Sequence, residues 1–407
     1  MSEGAAASGI DLGALRAAYS RFLAAPEAAG RILLTGHSHQ AWPDVARDAL
    51  VECFDDAARF ADDKWGAAVF PRVDVVGRKV LARMGFDEGD PIAFGKSTHE
   101  LVMRLFTCLR VSDRPRVVTT DSEFHSLHRQ VSRLAEEGFD VAWVPGWPRE
   151  GLAERLIDAL VPGTRMIAFS AVMFEDAFVV PRLGDILARA REVGAIAVVD
   201  AYHAFNVVPL EGGPAKESAF VTAGGYKYAA FGEGVCWMRV PQGCALRPVD
   251  TGWFADFAAL EGPRWKAGSG QPAPPVGYGA GGARFTGATF DPSCFYRAAA
   301  VLEHWERFGL TPERLRAISV AQTGRVIERL GARGLGDRVA APREAARRGG
   351  FVAVRTEDAE KKTRALRAKG VFVDSRGELL RIGPAPYLSE DELDRGVDLI
   401  ADELGRT

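Results

Sequence analysis

The sequence predicts an α/β protein with a mostly parallel central sheet flanked by helices and a smaller α+β domain towards its C-terminal end. Three observations predict it. Short β-branched runs alternate with amphipathic helical stretches between about 117 and 200. A Gly- and Pro-rich stretch without periodicity, 262–283, then breaks the pattern. Two long helical periodicities and several short strand-like runs fill the remainder. Alternation of this kind is the signature of βαβ units, whose crossovers place helices on both faces of the sheet.

In chain order, strands are expected at 117–120, 141–144, 166–169 and 197–199. Helices are expected over about 124–137, 150–160 and 182–193, with Gly138 and Gly194 as C-terminal stops. Long helices follow at about 293–308 and 312–333, the second with Thr311 as N-cap and Pro312 in its first turn. A strand near 351–354, a helix over 357–369, strands near 371–374 and 379–382, and a final helix complete the chain. Ser389 and Glu392 are spaced as a capping box for that helix. The organisation read from this is an N-terminal helical segment over 1–35, a large domain over 36–285 and a small domain over 286–407. The loop at 262–283 is long enough to be functional.

Composition narrows the classes. The chain has 407 residues, 47% of them apolar and 26% charged, an ordinary balance for a globular protein able to bury a sizeable core. A net charge of −3 offers no basic field for nucleic acid or an anionic membrane. No apolar run approaches the roughly 20 residues that span a bilayer, and the first residues lack the basic start and apolar stretch of a secretion signal. Five scattered cysteines without a C-x-x-C pair point to reduced thiols and a cytoplasmic protein.

In sheets of this kind ligands bind at the carboxyl ends of the strands, and four segments fall there or at helix starts. Val198-Val199-Asp200 puts a carboxylate at the end of a buried strand, where it needs a cationic or strongly donating partner. A protonated pyridine nitrogen is one; in isolation such an Asp equally starts a turn. Lys227 comes 27 residues later, between Tyr226 and Tyr228, after paired glycines and before a Gly-rich turn. Burial lowers a lysine's pKa and leaves a nucleophilic amine, as Schiff-base chemistry requires. A lone Lys is more often a surface residue, but the gap back to Asp200 leaves room for one strand and returns the chain to the same sheet edge. Gly95-Lys96-Ser97-Thr98 precedes a helical run, where free amides and hydroxyls suit a phosphate. Phe124 and Ser126, after the Val117–Thr120 strand, offer a stacking face and a further hydroxyl. Together these make a ring-binding set.

With these residues in place, the chain resembles the kynureninase-like branch of the fold-type I pyridoxal 5′-phosphate (PLP) enzymes, within the class V aminotransferase superfamily. The resemblance is carried by Asp200, His203, Ala204 and Leu210 followed by Tyr226-Lys227-Tyr228. It continues in Gly252-Trp253-Phe254, in Arg284-Phe285 with Ala288-Thr289, and in the 380–387 stretch Leu-Arg-Ile-Gly-Pro-Ala-Pro-Tyr. It implies that Lys227 carries the cofactor, that Asp200 pairs with the pyridine nitrogen with His203 beside it, and that Phe124 stacks on the ring. Ser97, Thr98, Ser126 and Tyr226 would bind or lie near the phosphate, and Ser170 would face the cofactor. Trp253 and Thr289 would reach a neighbouring subunit's site in a homodimer with shared active sites, and Arg381 would clamp the substrate's α-carboxylate. His37, His39 and Trp253 would border the substrate. The implied reaction is hydrolysis of the Cβ–Cγ bond of L-kynurenine, 3-hydroxykynurenine or a related amino acid, a step of tryptophan catabolism, with Lys227, Tyr226 and Asp200 as the catalytic residues. Two departures stand out: Leu127 replaces the family's Asp, and Gly36-His37-Ser38-His39-Gln40 replaces its G-N-S-L-G.

Rival readings keep the cofactor and change the reaction to transamination, epimerisation or another lyase step. A cysteine desulfurase is disfavoured because no cysteine follows Cys294. A metal-binding protein, suggested by His37-Ser38-His39 and by His125 with His128, lacks carboxylate ligands at fixed spacing, so no metal is expected. A non-catalytic scaffold conflicts with the presence of both Lys227 and Asp200.

Overall fold

The computed structural model describes residues 10–25, 30–262 and 264–405. Residues 1–9 and 26–29 of the segment expected to be helical, and Pro263 of the Gly/Pro-rich loop, lie outside the described residues. Helices α1 (Leu12–Ala17) and α2 (Ser20–Leu23) lead to β1 (Ile32–Leu33), then to α3 (Val45–Phe60) and α4 (Phe70–Arg83). The alternating stretch follows as β2 (Ile92–Gly95), α5 (Thr98–Phe106), β3 (Arg116–Thr120), α6 (His125–Glu136), β4 (Asp140–Val144), α7 (Leu152–Ala159), β5 (Thr164–Ser170), α8 (Leu183–Glu192) and β6 (Ile196–Asp200). Strands β7 (Ala219–Gly224) and β8 (Cys236–Arg239) close the sheet.

The sheet has the order β2-β8-β7-β6-β5-β3-β4. β3, β4, β5, β6 and β7 pair in parallel, and β8 runs antiparallel to both β7 and β2. Parallel strands covered on both faces must be apolar throughout. β5 (TRMIAFS) and β7 (AFVTAG) are accordingly buried along nearly their whole length. Helices pack on the sheet because their apolar stripe faces it: α5 buries Leu101, Leu105 and Phe106, and α8 buries Ile186, Leu187 and Ala190. Gly138 and Gly194 hold positive φ just past α6 and α8, as the sequence predicts.

Beyond the loop, α9 (Ser293–Arg307) packs on α3 and α4. Its Trp305 lies against Phe231, and each fully buried large aromatic contributes roughly 2–3 kcal/mol of transfer free energy. Helix α10 (Pro312–Ala332) is capped by the Thr311 hydroxyl. Then come β9 (Val352–Arg355), α11 (Ala359–Ala368), β10 (Val371–Phe372), β11 (Asp374–Arg376), β12 (Leu379–Ile382) and α12 (Glu390–Leu404). The capping box of Ser389 and Glu392 at α12 is present. The single strand expected at 371–374 is instead two. β10 pairs with β1, whereas β11 belongs to a three-stranded sheet with β12 and β9, and Val373 turns inward between them. The pairing of β1 with β10 and the bridge from Thr35 to Gly383 bring the segment around His37 against the C-terminal sheet.

Candidate active site

Because β3, β5, β6 and β7 are parallel, their carboxyl ends share one edge, and residues 120–124, 170, 200 and 224–227 gather there. In register, Ser170 pairs with Asp200, and Asp200 with Thr222. Beyond β7 the chain folds back sharply, and two glycines make this possible. A Cβ on Gly225 would lie 2.4 Å from the Gly232 carbonyl oxygen, and Gly232 itself holds φ of 76° against Trp42. The fold-back buries Lys227, which is only 6% exposed.

A cavity at this edge is lined by Ser97, Thr98, Phe124, Ser126, Ser170, Asp200, His203, Tyr226 and Lys227. These are the residues the sequence nominates for cofactor and catalysis, apart from Trp253, Thr289 and the substrate-side set. Lys227 Nζ lies 2.9 Å from Nε2 of His203 and 4.4 Å from the centre of the Tyr202 ring, with the Phe124 ring at 5.3 Å. Burial pulls the Lys227 pKa down to about 7, with Asp200 opposing that shift. Burial raises the Asp200 carboxyl above the ordinary range. Asp200 accepts a 2.8 Å bond from the Tyr202 amide, and among the described residues no cationic side chain is hydrogen-bonded to it.

One end of the cavity is built for an anion. Ser97 caps α5, and Ser126 stands in the first turn of α6, so two helix N-termini meet there with their free amides. The donor set fits pyridoxal phosphate: a buried amine for its aldehyde, a carboxylate lacking a cationic partner for its ring nitrogen, a stacking ring, and helix ends for its phosphate. Nδ1 of His203 is buried and without a partner, which leaves one polar atom of the cavity to be satisfied by a ligand.

Ser170 lines the cavity, with its hydroxyl engaged by a neighbouring carboxyl. Its hydroxyl donates to Oε2 of Glu123 at 2.6 Å, and Thr120 donates to Oε1 at 2.7 Å. Glu123 is a buried carboxyl beside Asp200 that sequence reading missed. Burial, with the Asp200 charge adding to it, raises its pKa to about 7. The available signal was an acidic residue directly before the stacking Phe at a strand end.

None of the substrate-side candidates Arg381, His37, His39 and Trp253 is among the residues lining this cavity. Arg381 is 2% exposed; its Nε donates to Oδ1 of Asp374 at 2.9 Å, a terminal nitrogen donates to Oδ2, and the other donates to the carbonyl of Phe174, a cavity-lining residue. His37 is expected at the substrate, but its ring is fully buried behind Arg381, bonded through Nε2 to Asp374 at 2.8 Å and stacked on Phe351. The pairing of the Thr35 region with Gly383 draws it there. His39 is largely exposed and stacks on Tyr226. His37 and His39 thus have separate partners, as do His125, against Phe174, and His128, against Trp143. Trp253 and Thr289 stand outside the Lys227 cavity. Trp253 is on the exposed loop surface, and Thr289 lines a neighbouring cleft with Lys96 and Gly234.

Residues 315–400 match the family model of the kynureninase C-terminal domain. An uncharacterised aminotransferase of Bacillus subtilis, YcbU, is 22% identical over 389 residues, spanning 92% of this chain and 97% of that protein. Among solved structures, the apo cysteine desulfurase of Thermococcus onnurineus superposes with a TM-score of 0.76 at 17% identity, covering 93% of this chain and 96% of that one. The cystine C-S lyase C-DES, in complex with cysteine persulfide, gives 0.75 at 18% identity, covering 93% and 99%. The chain has the fold-type I architecture of these solved structures, and its residues 315–400 are similar to the kynureninase C-terminal domain.

Proposed function

We propose that this chain is a PLP-dependent hydrolase of the kynureninase type. It would cleave the Cβ–Cγ bond of L-kynurenine, 3-hydroxykynurenine or a related γ-keto amino acid with one water, giving alanine and a carboxylic acid. The observation that carries the cofactor reading is the buried Lys227 amine in one cavity with Asp200 and two helix N-termini. The match over 315–400, which includes Arg381, favours this reaction within the class.

When bound, pyridoxal phosphate supplies an electron-withdrawing ring that stabilises negative charge next to the substrate's amine. Asp200 would hold the ring nitrogen, Phe124 would pack on the ring, and the helix ends at Ser97 and Ser126 would hold the phosphate. Arg381 receives the α-carboxylate. Lys227, whose amine is brought by burial to about half uncharged at neutrality, takes the α-proton and returns it. Tyr226, whose hydroxyl is kept protonated by burial, supplies a proton to the β-carbon as alanine departs. The expected partner is a second copy of the chain, in a cytoplasmic homodimer with shared sites. Among the described residues no helix is long and apolar enough to cross a membrane.

A second reading, transamination, is favoured by the similarity to YcbU. Desulfuration is not, because the two buried cysteines are poor nucleophiles here. Cys236 lines the cavity with its thiol pushed up to about 11 by burial, and Cys294 is packed into α9. Incubation with L-kynurenine and 3-hydroxykynurenine, with alanine as the readout, tests the hydrolase. Amino transfer that needs a keto-acid acceptor, with no alanine from kynurenine, would select the second reading.

A further inference from the structure

We infer that Asp374, held in turn by His37, is the positioning residue of the carboxylate clamp, setting the Arg381 guanidinium for an amino acid's α-carboxylate. This rests on the assignment of Arg381 as that clamp. Asp374 and Arg381 are direct cross-strand partners in the β11–β12 hairpin, so the backbone register brings them together. Asp374 takes Nε and one terminal nitrogen of Arg381, and the Phe174 carbonyl takes the other. A guanidinium has five N–H groups. Three are engaged, and one remains on each terminal nitrogen, the number a carboxylate accepts when it binds in two-point fashion.

His37 fixes the other side of Asp374. Its Nε2 donates to Oδ1, the oxygen shared with Arg381 Nε, while Phe351 stacks on its ring at 4.6 Å. Arg381 also lies over Phe351, 5.5 Å from its centre. One aromatic ring therefore backs both the histidine and the guanidinium. His37 is neutral because burial pulls its pKa down to about 4, and besides Arg381 the exposed Arg376 lies 3.7 Å from Oδ2 of Asp374. A bare buried guanidinium would be strongly unfavourable and free to turn to other acceptors. Asp374 thus gives Arg381 one orientation before substrate arrives, which lowers the ordering cost of binding.

The test compares ligands that differ only in the carboxylate. L-Alanine and ethylamine are titrated into the PLP-loaded protein and followed by the change in cofactor absorbance. D374N is expected to weaken alanine at least tenfold and to leave ethylamine within about twofold of wild type. H37F, which keeps a ring on Phe351 but removes the donor, is expected to weaken alanine several-fold with the same selectivity, and it carries the test if D374N does not fold. In the cofactor-free protein, propionate should raise the melting temperature of wild type and not of D374N. Equal losses for alanine and ethylamine, unchanged alanine binding, or equal stabilisation by propionate would overturn the assignment of Asp374. A wild-type protein that takes up PLP but binds alanine no better than ethylamine would overturn the Arg381 clamp as well. A wild type that takes up no PLP would sink the cofactor reading, on which the rest depends.

Discussion

Lys227 Nζ and His203 Nε2 are 2.9 Å apart, both buried, with Asp200 in the same cavity. Burial disfavours both cations, so the pair is held towards its neutral form: His203 is pushed well below the usual imidazole range, and Lys227 to about 7. Only an uncharged amine attacks an aldehyde. The rate of PLP capture by the cofactor-free protein should therefore rise with pH, reach half its maximum near pH 7 and level off within about one unit above it. A rate still climbing steeply at pH 9, as for an exposed lysine, would contradict this. Stability of the cofactor-free protein follows with a definite sign. The folded state binds fewer protons than the unfolded chain between about 7 and the ordinary lysine value of 10.5, so Lys227 makes stability rise with pH across that window.

Asp200 bonds to the Tyr202 amide through one oxygen. Asparagine can keep that bond while losing the charge, so Asp200→Asn should fold normally. A hydrogen bond to a charged group contributes about 1.5–3 kcal/mol, and PLP affinity should fall roughly 10- to 100-fold. Equilibrium dialysis against PLP measures it. Unchanged affinity would remove Asp200 from the site.

The parallel sheet was legible because β-branched runs, helix stops and caps each leave a local trace, and so were Asp200, Phe124 and Lys227, which sit beside those traces. Asp374 and Glu123 were not. Asp374 matters only because a turn through Gly377, at φ of 54°, pairs it with Arg381. The Arg-Gly-Glu sequence between the expected strands marks a turn but does not by itself say that they pair as a hairpin. Glu123 becomes exceptional only when Ser170, 47 residues away, closes over it. The burial of His37 likewise depends on a bridge between Thr35 and Gly383, which no local pattern announces.

Glu123 should make the protein's stability depend on pH in the opposite sense to Lys227. Its folded pKa is raised from 4.5 to about 7, so the folded state binds more protons than the unfolded chain between those values. Stability therefore falls as pH rises through that window, and the full penalty, on the order of 3 kcal/mol, is present above it. Glu123→Gln keeps hydrogen-bonding capacity towards Thr120 and Ser170 without an ionisable group. It should melt a few degrees above wild type at pH 8, with the gap closing by about pH 5. Parallel melting curves across that range would show that Glu123 does not titrate there.

Trp253 and Phe257 are respectively 42% and 48% exposed, and their ring centres are 5.3 Å apart. Phe254 packs against both and continues inward to Trp65 and Phe290, so the exposed rings stand on a rigid aromatic base. Contiguous apolar surface of this kind marks an association site, and rigid aromatic anchors dominate such interfaces. If a second copy covers it, each ring contributes about 1–3 kcal/mol to the dimer. The double variant Trp253→Ser with Phe257→Ser should then raise the dimer dissociation constant by roughly a hundredfold or more. Light scattering at micromolar concentration should find wild type as a dimer and the variant largely as a monomer. The monomer should retain its helical content, because neither side chain is part of the buried core, and should hold PLP more weakly if the partner completes the site. A variant that remains dimeric with unaltered PLP affinity would place the subunit interface elsewhere.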